Sequence, residues 1–156
     1  MKKVIIGIVV AVLLLVGVYF LLPAGPKNVI QYQWMKMFDK ETYAEIEVVQ
    51  NTIVLGQDSV TYEDIISTGV SHEYWTYETN VSATGAYQKI ITANGDGVSL
   101  TLGENDDSGV YDDAELQLVF TLDSKGGYDL VAYMDGTQLS KADRDSLLAK
   151  LSQQVK

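Results

Sequence analysis

The chain of 156 residues has no cysteine, only two prolines, one histidine and one arginine. Without cysteine it can form neither disulfide staples nor a thioether-linked lipid anchor. A cysteine-free domain outside the cell fits a prokaryotic surface protein, since small secreted eukaryotic domains tend to be disulfide-dense. The scarcity of His and Cys also narrows catalysis. A His-based triad needs an activated nucleophile and an orienting third group, and no nucleophile-elbow motif accompanies His72. A lone strand histidine is read as structural. Internal repeats and low-complexity segments are absent, and no basic residue occurs between Lys89 and Lys125.

What is present first is an apolar run, Val4 to Leu22, preceded by Lys2 and Lys3 and closed by Pro23-Ala24-Gly25-Pro26. Nineteen residues at ~1.5 Å each span about 28 Å in a helix, close to the hydrocarbon thickness of a bilayer. The run exceeds the usual signal-peptide apolar region of about 7–15 residues and lacks a small-x-small exit. It reads as a retained signal anchor over residues 1–22 that contacts the membrane through residues 4–22. Lys2 and Lys3 before the run, against Lys27 after it, place the amino terminus in the cytoplasm and the rest outside. Residues 23–28 form a stiff linker, because each proline fixes its own φ and biases its predecessor towards extension.

Residues 29–156 are long enough for one domain and too short for two. Beyond the anchor lie all 21 carboxylates, against nine Lys and Arg, a domain charge near −12. Such a balance argues against nucleic acid and against docking of the domain on anionic headgroups. The residues from Val29 to Phe38 suggest a short helix, with Trp34 expected over the core and the headgroup level as the alternative for its indole. Alternation of Ala44, Ile46 and Val48 with Tyr43, Glu45 and Glu47 suggests a half-buried strand. Thr61-x-x-Asp64 opens a helical turn with a capping-box spacing. Residues 70–79 are rich in aromatics and Thr and read as a strand. Asn94-Gly95-Asp96-Gly97 reads as a hairpin loop, since such loops need positive φ. A second hairpin joins Ala114–Leu122 to Tyr128–Met134. Ser140 caps an amphipathic terminal helix with an apolar stripe of Leu147, Leu148, Leu151 and Val155. The expected fold is α+β: a transmembrane helix, then a small antiparallel meander with a short helix before it and an amphipathic helix after it.

Three constellations are candidates for chemistry. Glu104, Asp106, Ser108, Asp112 and Glu115, with Gly109 at the turn, fall at the oxygen-ligand positions of an EF-hand-like loop and make calcium the one candidate cofactor. Glu at the first position and strand-like flanks depart from that pattern. Tyr74, Trp75 and Tyr77 could stack on sugar rings or peptide, although aromatics are also the residues that pack best in sheets. Two of the many acids could converge as a hydrolytic pair. The leading expectation is a single-pass extracytoplasmic binding or structural module, not an enzyme, with a protein or glycan partner. A hydrolase using a carboxylate pair and a carrier with an apolar cavity are the alternatives.

Overall fold

A computed structural model describes residues 18–81, 85, 87–103, 109–123 and 126–155. Residues 1–17, most of the apolar run, lie outside the described residues. Among the described residues no helix is long and apolar enough to cross a membrane. The described fold is α+β. Helices α1 (Ala24–Phe38), α2 (Lys40–Gln50) and α3 (Tyr62–Gly69) precede strands β1 (Ser71–Val81), β2 (Tyr87–Thr101), β3 (Val110–Leu122), β4 (Tyr128–Met134) and β5 (Thr137–Gln138), and α4 (Lys141–Gln154) closes the chain. The five strands form one antiparallel sheet in sequence order.

The anticipated strand at residues 43–49 is instead helix α2. Its buried residues are Ile46, Val49 and Gln50, spaced three and four apart, while Val48 points outward. Glu41, Ala44, Glu45 and Glu47 favour helix, and Asp39 caps it by accepting the Thr42 amide. A short stretch satisfied both periodicities, and the cap decided between them.

The hairpin expected at Asn94-Gly95-Asp96-Gly97 is likewise overturned. These residues lie inside the fifteen-residue strand β2. Asn94 pairs with Tyr74 on one side and Gln117 on the other, and Gly95 pairs with Leu116. Of the two glycines only Gly97 takes a positive φ, 79°, which makes a bulge in a continuing strand where a reversal was expected. Gly95 is required for another reason: a Cβ there would sit 2.2 Å from Val70 Cγ2. The same end of the sheet carries a register shift between Ser71 and Tyr74, with His72 at φ 50°, and another between Val98 and Leu100 opposite Asp113 at φ 56°.

The stiff linker expected at residues 23–28 is instead the start of α1, where a proline in the first turn gives up no intrahelical bond, and Trp34, expected over the core, is exposed; the other elements follow their local signals. Thr61 and Asp64 form a reciprocal capping box: Asp64 N–H donates to Thr61 Oγ1 at 3.2 Å, and Thr61 N–H donates to the Asp64 carboxylate at 2.8 Å. The Thr61 N–H, and next the Thr61 hydroxyl donating at 2.7 Å, hold the Asp64 carboxyl below its ordinary value. Asp135 and Gly136, at φ 49° and 73°, make the tight turn from β4 to β5, as a two-residue hairpin with two positive φ values requires. Ser140 accepts the Asp143 amide at 3.1 Å and starts α4.

In-register positions give the sheet two unlike faces. Trp75, Ile91, Ala93, Leu116, Leu118, Phe120, Leu130, Ala132 and Met134 are buried on the inner face, with Ile46, Tyr62, Ile65, Ile66, Leu147, Leu148 and Leu151 of the helices over them. Trp75 stacks on Phe120 with centroids 6.3 Å apart, and Tyr62 meets Phe120 edge-on at 4.8 Å. Trp75 Nε1 is buried without a hydrogen-bond partner, a cost of about 1–3 kcal/mol. Burying the indole's ~150–250 Å² contributes about 4–6 kcal/mol, so the packing wins. Arg144 ties α4 to the sheet by donating to the Leu130 carbonyl at 2.7 Å while its fork holds Asp145.

Candidate ligand groove beside the open sheet face

The outer sheet face carries a cross-strand row, Tyr74–Asn94–Gln117–Tyr133–Gln138, one residue from each strand, in which Asn94 is buried, Tyr74, Gln117 and Tyr133 are half-buried and Gln138 is exposed. Two amides therefore sit between two tyrosines. Gln117 Nε2 donates to Asn94 Oδ1 at 3.0 Å, and Asn94 Nδ2 donates to the Thr92 carbonyl at 3.3 Å. These bonds fix the amide orientations. The next row holds the Thr76–Thr92 pair.

Helix α1 runs beside edge strand β1 and turns this face into a groove. Two open clefts, of about 760 and about 450 Å³, both include Asn28 and Tyr74 in their walls. The larger is mainly apolar around Ala24, Val29 and Ile30, with His72, Asp96 and Glu115 at its sheet side. There His72 Nδ1 lies 3.1 Å from the Asp96 carboxylate, both side chains largely exposed. The smaller cleft is polar, with Gln31, Thr76, Glu78, Thr92, Asn94 and Gln117. Tyr74 stands where the two clefts meet. Hydroxyl and amide groups beside an aromatic ring are a chemistry suited to a polyhydroxylated or peptide ligand.

The aromatic candidates separate on this geometry. Trp75 is completely buried against Phe120, so its ring belongs to the core and offers no surface to a ligand. Tyr77 faces the same inner side and packs against the core cluster. All three border the smaller cleft, and of the three only Tyr74 also lines the larger one. Asn94 and Gln117 went unnoticed in the sequence because β2 was divided at Asn94. A continuous strand would have set Asn94 beside Tyr74 and Gln117.

The EF-hand-like set is divided. Glu104, Asp106 and Ser108 lie outside the described residues. Asp112 and Glu115 lie on β3, where Asp112 accepts from Ser99 Oγ at 3.2 Å and Glu115 lines the larger cleft. Among the described residues no three His, Asp or Glu side chains come together as a metal centre.

Two acids do converge elsewhere. Glu63 of α3 and Glu73 of β1 each keep a buried Oε2 without a hydrogen-bond partner. Burial pushes both carboxyls above the ordinary 4.5, Glu73's charge adds to the effect on Glu63, and Lys36 opposes it at both. The Lys36 ammonium lies 5.3 Å from the ring centre of Tyr32 and 5.7 Å from that of Tyr43. Tyr32 itself is buried and accepts from Gln50 Nε2 at 2.9 Å. Burial raises the Tyr32 hydroxyl strongly, against the pull of that bond. This polar seam joins α1, α2, α3 and β1, and neither acid lines the two clefts of the groove.

Comparison of the chain with protein-family models, with curated proteins and with solved structures finds no match in any of the three.

Proposed function

We propose that the protein is a single-pass, membrane-anchored binding module that displays this acidic domain outside the cell and takes its ligand along the groove past Tyr74. The observation that carries the binding reading is the junction of two clefts at Tyr74 and Asn28, flanked by the hydrogen-bonded Asn94–Gln117 pair. The densely packed inner face favours a module over an apolar-ligand carrier. The anchoring reading rests on the Val4–Leu22 run and on the lysines before it.

A hydrolase built on Glu63 and Glu73 is the second reading, favoured by their shared burial and raised carboxyls. It is weakened because neither acid lines the groove, and a carboxylate pair must flank the bond it cuts. Retention of the chain on polysaccharide from isolated cell wall, compared between wild type, Tyr74→Ala and Gln117→Ala, tests the groove. Loss of retention in both variants with unchanged melting supports it, and equal retention in all three rejects it. Loss of function in Glu73→Gln alone would favour the hydrolase.

A further inference from the structure

Helix α1 has two apolar faces, and the fold uses only one. Tyr32 and Met35 turn inward to the core. On the opposite side Ile30, Trp34, Met37 and Phe38 are 45%, 61%, 59% and 65% exposed. Their spacing of four, seven and eight residues puts them in one stripe along the helix. The rings of Trp34 and Phe38 are 4.4 Å apart and form a continuous aromatic plate. Nothing among the described residues covers that plate.

The charge distribution and the place of the stripe in the chain say what covers it. A whole-domain charge near −12 conceals a sharp division at Asp39. The first 38 residues contain four lysines and no carboxylate, whereas from Asp39 onward there are 21 carboxylates and seven Lys and Arg. Helix α1 thus carries no acid, whereas α2, α3 and α4 all do. It also begins two residues after the apolar run ends at Leu22, where Val18, Phe20 and Leu21 are exposed. Lys27 of α1 donates to the Phe20 carbonyl at 3.0 Å and joins the end of that run to the helix. A second copy is a poor occupant, because the acidic bodies behind the two stripes would repel each other.

We propose that α1 lies in the plane of the bilayer, with its Trp34–Met37–Phe38 face at the boundary between headgroups and acyl chains. This rests on the anchoring reading above. An interfacial helix needs an apolar face, an aromatic at headgroup depth and no acids against an anionic surface. Because α1 is bound to α2 and β1 through Tyr32, Gln50 and Lys36, its placement would orient the whole domain. The groove, whose larger cleft opens between the start of α1 and Asp96 and Glu115, would then stand at a set height above the membrane.

Fluorescence of the full chain in liposomes of phosphatidylcholine and phosphatidylglycerol, with and without bromine near the top of the acyl chains, tests this. The chain has two tryptophans, and Trp75 is shielded in the core. The expected result is flotation with the liposomes, a blue-shifted Trp34 emission and its quenching by the brominated lipid. Quenching should vanish in Trp34→Tyr, whose thermal melt should match wild type. A chain that floats while Trp34 stays unshifted and unquenched overturns the interfacial placement and leaves the anchor standing. Shielding of Trp34 that follows protein density and not bromine assigns the face to a second copy and overturns the placement. A chain that does not float removes both the anchor and the interfacial helix.

Discussion

Two tryptophans divide the molecule into regions with different physics. Trp75 stands on the inner face of the sheet, wholly buried between Phe120 and the helices, whereas Trp34 stands on the outer face of α1 and is 61% exposed. Both belong to aromatic pairs, and both occur in stretches that hold further aromatics. What differs is the element opposite each. The inner sheet face meets α3 and α4, whose Ile65, Ile66, Leu147 and Leu151 close over it. The outer face of α1 meets no element of the described fold. Side-chain type gives an aromatic its tendency to leave water, and the neighbouring elements decide whether it does so inside the protein or elsewhere.

Breaking the inner region should have the largest effect. Trp75→Ala removes a fully buried indole and is expected to cost about 3–5 kcal/mol, read as a lowered midpoint in chemical denaturation. A cost under about 1 kcal/mol would mean that the inner face is not the principal core. Next comes Gly95→Ala, which puts a Cβ 2.2 Å from Val70 Cγ2 at the bulged end of the same sheet. The expected loss is about 1–3 kcal/mol through overpacking, and Val70→Ala in the same chain should recover part of it.

Helix α3 covers the inner face, and its capping box can be removed separately. Thr61→Ala should lower stability by about 1 kcal/mol. The Thr61 hydroxyl adds to its backbone N–H in depressing the Asp64 carboxyl, and only the hydroxyl is lost in the variant. The capping contribution is therefore present above the ordinary aspartate range and lost as pH falls through the depressed value. A melt repeated across acid pH in wild type and variant should show the difference between them shrink at the low end.

The polar seam between α1 and the core predicts the opposite pH trend. Glu63 and Glu73 are raised by burial, so the folded state binds protons more tightly than the unfolded chain. Their contribution is fully present below about 4.5 and is lost as pH rises through the raised values. Glu73→Gln should slightly raise the melting temperature at neutral pH and flatten its dependence just above 4.5. An unchanged slope would locate these carboxylates in water. The smallest effect is expected at the outer tryptophan: Trp34→Ala should shift stability in solution by no more than about 0.5 kcal/mol. A large loss would erase the contrast between the two regions.

Legibility in the sequence followed how local each signal is. The capping box at Thr61, the aromatic strand from Ser71 and the Ser140-capped terminal helix were readable because the residues that make them lie within one turn or one pleat. The antiparallel α+β class followed from those elements. Helix α2 was misread as a strand because Ala44, Ile46 and Val48 alternate, and seven residues are too few for the 3.6-residue period to separate from the two-residue one. The Asn94–Gly97 stretch was misread as a reversal because its glycines suit both a turn and a bulge. Val70 pressing on Gly95, with Tyr74 and Gln117 flanking Asn94, is what keeps β2 running straight through it, and those neighbours lie twenty or more residues away in the chain.

The candidate site followed the same division. Tyr74 was nameable as part of an aromatic strand, but its partners Asn94 and Gln117 become neighbours only through cross-strand register, and Asn28 only through the packing of α1 against the edge of β1. Sequence alone determined the charge boundary at Asp39, the apolar run to Leu22, the absence of disulfides and the helix caps, because these depend on residue identity and short spacing. Tertiary structure alone decided which of two aromatic stretches is core and which is surface, and that two distant amides share a groove with Tyr74. Burial and register are properties of how elements meet, and a linear pattern carries only each element's half of that meeting.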